Sequence, residues 1–274
     1  MIAPNDRVTF AVRYEDEAVA VVEKPPGLVT TPGKGHDDDS LLNGLFARFG
    51  KQLRQLGAAR DHGLLQRLDR EASGLLVVAL TPASWDVLRE QFAKRTIRKY
   101  YWAVARRAPN QPSGVIRKPL EEFIAQREDI WIEDPRRRKF AKIKLAKVSA
   151  RGKPAMTAYR TLASSQSGAT IECRTLTGRL HQVRVHLDSI GCSILGDRFY
   201  GPVASRRATT RLSLHAHRIV TDHPATGERL DVRTKCPRDL RRAATRLGLP
   251  PPGVFSADGP PAETETSASS SAER

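Results

Sequence analysis

Leu65-Gln66-Arg67-Leu68-Asp69-Arg70-Glu71-Ala72-Ser73-Gly74, running on into Leu75-Leu76-Val77-Val78-Ala79-Leu80, sets one carboxylate between two arginines just before an unbroken apolar run. A run without polar alternation predicts a strand over residues 74–80 that is buried on both faces. Asp69 then stands in a loop at a sheet edge, with positive charge close by. Neighbouring guanidinium groups keep a carboxylate ionised. A structural salt bridge is the ordinary use of Arg-Leu-Asp-Arg, and a functional carboxylate is the alternative.

The flanking segments supply the rest of a fold. Residues 8–14 and 18–22 read as two short β-rich runs around the turn Glu15-Asp16-Glu17, and Lys24-Pro25-Pro26-Gly27-Leu28 breaks that pattern into an exposed loop. Apolar residues at 41, 42, 45, 46 and 49 predict an amphipathic helix over 41–56, with Arg and Lys on its outer side. Thr81-Pro82-Ala83-Ser84 caps a second helix running to about Ala93. Residues 97–105 are aromatic and β-branched and return to the sheet. The stretch from 111 to 160 is charged and reads as irregular, with Asp134-Pro135-Arg136-Arg137-Arg138-Lys139 its most basic run. Strands are predicted again over 157–163, 169–176 and 182–187. No steady βαβ rhythm or internal repeat is present, so the expected class is α+β with a large mixed sheet rather than a doubly wound one. The chain divides into one expected domain over 1–248 and a Pro-, Ser-, Ala- and Glu-rich tail over 249–274 that is too polar to fold alone.

With 46 Lys and Arg against 30 Asp and Glu, the 274-residue chain carries a formal charge of +16, which points to a polyanionic partner: RNA, DNA or an acidic membrane. No stretch of 18 apolar residues and no signal-peptide pattern at the start is found, so a soluble, cytoplasmic protein with no membrane partner is expected. Cys173, Cys192 and Cys236 are odd in number and far apart, which suggests neither a disulfide framework nor a cysteine zinc site. His215 and His217 share a strand face and could ligate a metal, but no third ligand is spaced to help; two histidines near a polar surface is the plainer reading.

A second polar cluster, Gly178-Arg179-Leu180-His181-Gln182-Val183-Arg184-Val185-His186-Leu187, reads as a glycine turn entering a strand. On a strand, Gln182, Arg184 and His186 share one face while Val183, Val185 and Leu187 share the other. The polar face is a solvated face or a binding site.

Taken together these segments resemble the RluA-type pseudouridine synthases, and the resemblance runs to about Leu247. It rests on Arg67-Leu68-Asp69-Arg70 followed by Ser73-Gly74 and the apolar strand, on Val21-Val22-Glu23-Lys24-Pro25-Pro26-Gly27, on Arg98-Lys99-Tyr100-Tyr101-Trp102-Ala103, and on Gly178 to Leu187 with Ile194-Leu195-Gly196-Asp197. Leu214-His215-Ala216 and His223-Pro224-Ala225-Thr226-Gly227-Glu228 follow in order. The resemblance implies the pseudouridine synthase catalytic fold, a large mixed, mainly antiparallel sheet flanked by helices and loops. It implies an isomerase acting on structured RNA, a ribosomal or transfer RNA stem loop, without metal or organic cofactor. Asp69 is then the catalytic aspartate, Arg184 its ion-pair partner and Tyr101 the ring that packs on the target uracil. Arg67 fills the space of the flipped uridine and Leu187 lines the base pocket. Lys24, Arg179 and His181 are further substrate-binding candidates.

Gln66 and Leu180 depart from the family's histidine and threonine at these positions. The expected protein has no S4-like RNA-binding domain before the catalytic part and works as a monomer without an obligate protein partner. Residues 136–139 are the candidate for target selection. Two other readings are a catalytically silent RNA-binding protein on the same fold and a nucleoside or sugar hydrolase pairing Asp69 with Glu71.

Overall fold

The computed structural model describes residues 2–33, 35–127 and 141–253. In chain order the strands are β1 (Ala11–Glu15), β2 (Val19–Lys24), β3 (Ser73–Ala79), β4 (Arg98–Ala105), β5 (Ser113–Arg117), β6 (Leu120–Arg127), β7 (Ala141–Val148), β8 (Met156–Ser165), β9 (Gly168–Thr175), β10 (Leu214–Asp222) and β11 (Arg229–Arg233). The helices are α1 (Leu41–Leu56), α2 (Pro82–Ala93), α3 (Gln182–Asp188), α4 (Val203–Arg206) and α5 (Arg238–Arg246). Nine strands form one sheet in the order β1-β2-β3-β10-β4-β9-β8-β5, with β11 also on β10, while β6 and β7 form a separate hairpin. Every pairing is antiparallel except that of β3 with β10. This is the expected α+β class, with a large, mainly antiparallel sheet.

The α1 and α2 readings hold to the residue. Ser40 and Asn43 close a reciprocal capping box at the start of α1, and Thr81 accepts from the Ser84 N–H with Pro82 in the first turn of α2. Every residue of β3 is buried. Leu76 and Val78 pack under α1 with Leu41, Leu45 and Phe49, while Leu75 and Val77 pack on the other face with Leu88 of α2. Strand β4 splits in the same way: Tyr101 and Ala103 face the α1 and α3 side, and Trp102 and Val104 face α5.

Three expectations are corrected. The charged region 111–160 is not irregular, because its described residues form β5, β6, β7 and the start of β8; charge masked the alternation there, as in the ion pairs of Glu122 with Lys144 and Glu121 with Lys147 across the hairpin. The basic run 136–139 lies outside the described residues. Residues 182–187 are a helix, not a strand. His181 enters it in the left-handed conformation, at φ 52°, and all six residues are buried, so neither alternating set marks a solvent face. Packing also continues past residue 248, since Leu249 is buried against Trp102, Leu240 and Ala244.

Candidate active site

The loop carrying Asp69 is fastened from below by the N-terminal loop. Thr30 donates its hydroxyl to Leu68 O (2.8 Å) and accepts from Leu68 N–H (3.2 Å). Gly27 N–H donates to Arg70 O at 2.8 Å and Arg70 Nε returns a bond to Gly27 O at 3.0 Å. Lys24 is fully buried and spends its ammonium donors on the carbonyls of Pro25, Leu28 and Arg70 at 2.9, 2.8 and 3.2 Å. It is therefore a clamp beneath the loop and does not reach a substrate, which corrects its assignment as a binding residue. Burial pushes its pKa down to about 7, against the favourable charge of Asp69.

After Asp69 the chain must enter the sheet where β3 meets β10. Gly74 sits at φ +121°, and a Cβ there would come within 2.2 Å of Ala216 O, so only glycine permits the approach. Ser73 is held in turn by a 2.8 Å hydrogen bond to His215 Nδ1, whose Nε2 meets Thr234 Oγ1 at 2.6 Å. Both histidines considered as metal ligands are thus structural: Trp102 stacks on His217 at 3.9 Å, and His217 Nε2 lies 3.0 Å from Glu172. Among the described residues no cluster of three or more metal-ligating side chains is present.

Helix α3 explains how Gly178 to Leu187 works. On a helix Gln182 and His186 lie one turn apart, and both bond Thr157 Oγ1, at 2.9 Å each, while Arg184 points the other way. Arg184 is 2% exposed and gives a bidentate fork to Asp197, Nε to Oδ2 and Nη2 to Oδ1, both at 2.8 Å. Its remaining nitrogen, Nη1, donates to Asp69 Oδ2 at 2.9 Å. The guanidinium also lies 5.2 and 5.1 Å from the rings of Phe199 and Tyr200.

Asp197 accepts as well from the N–H groups of Phe199 and Tyr200, at 2.9 and 3.1 Å, which folds the turn that brings those rings to Arg184. Sequence reasoning missed Asp197 and Tyr200 as parts of this centre. A lone acid closing the otherwise apolar Ile194-Leu195-Gly196 was the available signal.

Burial opposes ionisation of Asp69, but His181, Arg184 and Lys24 outweigh it, and the carboxyl sits below the usual carboxylate range. Of these, Arg184 is the partner fully charged at neutral pH: burial pushes the His181 pKa down to about 4, which leaves that ring neutral, and Lys24 with a pKa of about 7 is charged only in part. Burial works against Arg184 too, yet its bonds to Asp197 and the charge of Asp69 hold its pKa above the ordinary guanidinium value. Asp69 Oδ1 has no hydrogen bond among the described residues; His181 Nε2 is 3.9 Å away, with Nδ1 on Tyr200 Oη at 2.8 Å. Tyr200 Oη accepts the Ala146 N–H at 3.0 Å, which leaves its own proton available to His181 Nδ1.

Asp69, 21% exposed, opens into a groove of about 1230 Å³. The groove brings together Asp69, Tyr101, Arg184, Arg67, Arg179 and His181. Arg67 is exposed at its wall, and Arg179 is half-buried with Nε on Pro154 O at 3.1 Å. Burial pushes the Tyr101 phenol up to about 12 and Lys99, two residues earlier on β4, down to about 8. Leu187 does not line the groove. It is fully buried in the cluster that supports Tyr101, and Val183, one helical turn earlier, takes the wall position that a strand would have given to Leu187.

Residues 18–189 match the family model described as RNA pseudouridylate synthase. Over 246 residues the chain is 35% identical to the ribosomal large subunit pseudouridine synthase D of Zymomonas mobilis, covering 87% of this chain and 72% of that protein. It is 34% identical over 257 residues to the protein of the same name from Xanthomonas campestris, covering 89% and 71%. The fold is similar to that of human RNA pseudouridylate synthase domain containing 4, with a TM-score of 0.63 and 26% identity over 86% of this chain and 92% of that one.

Proposed function

Because the chain belongs to the RNA pseudouridylate synthase family, in its RluA type, it isomerises uridine to pseudouridine in RNA, and we propose that Asp69 is the carboxylate through which it does so. The observation that carries this reading is the division of labour at Asp69: Oδ2 is held by Arg184 at 2.9 Å while Oδ1 is left without a hydrogen bond among the described residues, in the wall of the groove.

The reaction breaks the N1–C1′ bond, turns the uracil and joins C5 to C1′. Breaking the glycosidic bond builds positive charge on the ribose, and a carboxylate already fixed and ionised stabilises or traps it. Arg184 keeps Asp69 ionised and aimed, and Asp197 keeps Arg184 in place. Tyr101, standing on the sheet beside the carboxylate, stacks on the detached base so that it turns without escaping. With its pKa near 12 the phenol is protonated at neutral pH, so it takes up the C5 proton only by passing its own along.

Extruding a uridine from a stem loop takes a few kcal/mol, and the exposed Arg67 recovers part of it by filling the vacated stack. The substrate we propose is a stem loop of large-subunit ribosomal RNA, the class named for the relatives from Zymomonas and Xanthomonas. The silent RNA-binding reading is not favoured, since an ionised carboxylate opening into a groove that receives a polyanion weakens binding unless it acts on the substrate.

The test is site-resolved pseudouridine mapping of RNA from cells carrying the wild type, a deletion or Asp69→Ala. A discrete uridine in large-subunit RNA should lose its modification in both mutants. Full modification with Asp69→Ala would overturn the assignment of the aspartate, and a lost site in transfer RNA would move the substrate.

A further inference from the structure

The groove occupies one face of the sheet, and a separate group of arginines gathers around α5, which packs on the other. Helix α5 packs through Leu240, Ala243 and Ala244 on Trp102 and Val104, the residues of β4 that face away from Tyr101. Its outer side carries Arg238, Arg242 and Arg246 at four-residue spacing, all exposed. Beside it is a cavity of about 380 Å³ walled by Arg106, Arg107, Arg246, Gln166, Ser167 and Thr209, with no Asp or Glu in its lining. The single carboxylate of α5, Asp239, is taken by Arg211. Among the described residues, Arg106, Arg107, Arg242 and Arg246 have no ion pair.

We propose that this arginine-lined cavity and the outer face of α5 form a second RNA site, which binds the sugar-phosphate backbone of a part of the substrate RNA remote from the target loop. Guanidinium groups left without carboxylates are matched by phosphate oxygens, and the hydroxyl and amide groups of Ser167, Thr209 and Gln166 add donors at the same opening. Arginines four residues apart rise about 6 Å along a helix, which suits successive phosphates of one strand better than a single small anion. Lying on the face opposite Asp69, the site cannot touch the loop being modified; it and the groove hold one RNA together only when that RNA is large enough to reach around the protein. It therefore adds affinity for long RNA by tethering and contributes nothing to the chemical step.

The test uses the full chain with Arg107→Gln, Arg242→Gln and Arg246→Gln combined, and a second variant with lysine at all three positions. Two readouts are needed: affinity for a short RNA duplex against salt, and release of tritium from C5-labelled uridine in a large-subunit ribosomal RNA transcript. The glutamine variant should bind the duplex with a log–log salt slope shallower by about three, one for each phosphate it no longer neutralises. Its KM for the transcript should rise about 10-fold with kcat unchanged, and the lysine variant should restore both. An unchanged salt slope and KM, or a fall in kcat alone, would overturn the proposal. Asp69→Ala serves as the independent control: it should end tritium release while leaving duplex binding intact, so failure of the aspartate assignment is read separately from failure of this one.

Discussion

Arg184 and Arg246 put the same guanidinium to opposite uses on the two faces of one sheet. Arg184 is 2% exposed, and three of its nitrogens are held by Asp197 and Asp69. Arg246 is exposed at a cavity without a carboxylate. The first cannot turn toward a phosphate without leaving Asp69 and the buried Asp197 without their guanidinium, so it acts as a fixed field that sets the state of Asp69. The second has no protein partner to give up among the described residues. A count of basic residues, +16 in net, mixes these two kinds of charge, and only burial with hydrogen bonding separates them.

The sharpest way to break the contrast is Arg184→Met. Removing one partner from a buried ion pair strands both Asp69 and Asp197, so stability should fall by about 3–5 kcal/mol and tritium release should fall to background. Thermal unfolding should shift down by about 10 °C for a domain of this size. Adding Asp197→Leu to the same chain sharpens the point: much of the lost stability should return, because an apolar pair can replace a buried ionic one, while activity should not.

A smaller effect is expected of His181→Gln in acid. The folded pKa of His181 is about 4 against an ordinary value of 6.5, so on acidification the unfolded chain takes up its proton first and stability falls between about pH 6.5 and 4. His181→Gln should flatten part of that slope in unfolding temperature against pH; a slope identical to wild type would assign it to other groups, such as His215, whose pKa burial lowers to about 3. Asp69 acts in the same direction but at lower pH. Its folded pKa lies below the unfolded value near 3.9, so its contribution is present above that value and is lost only as pH falls through the folded one. The smallest change is expected on the other face, where Arg242→Gln with Arg246→Gln should leave stability within about 0.5 kcal/mol of wild type.

The same division decides what could be read from residues in order. The loop position of Asp69 and the strand β3 were legible because a polar turn before a seven-residue buried strand is a local pattern, and α1 and α2 were legible from their caps and periodicity. Helix α3 was not. Val183 and Val185 favour a strand locally, and Gln182, Arg184 and His186 alternate as strand residues do, yet each is satisfied by distant groups: Gln182 by Thr157, Arg184 by Asp197, and His186 by Thr157 and the Lys118 carbonyl. Burial of polar groups on every side leaves no periodic trace. Lys24 was misassigned for a related reason, since a lysine whose donors all end on carbonyls looks like any other basic residue in sequence. Asp197 and Tyr200 became visible only once the turn after Gly196 brought them to Arg184.

The join of β3 to β10 sets when this protein becomes an enzyme. Ser73 is fixed by a histidine 142 positions later, and Asp69 by an arginine 115 positions later. Synthesis proceeds at about 5–20 residues per second from the N-terminus, so a nascent chain displays its aspartate loop many seconds before β10 exists to seat it. Pairings of such separation also form slowly once the chain is complete. A polypeptide stopped short of residue 215 thus carries the loop and Arg184 but not the strand that holds them in register, and partial products of translation should be inert toward the RNA they meet.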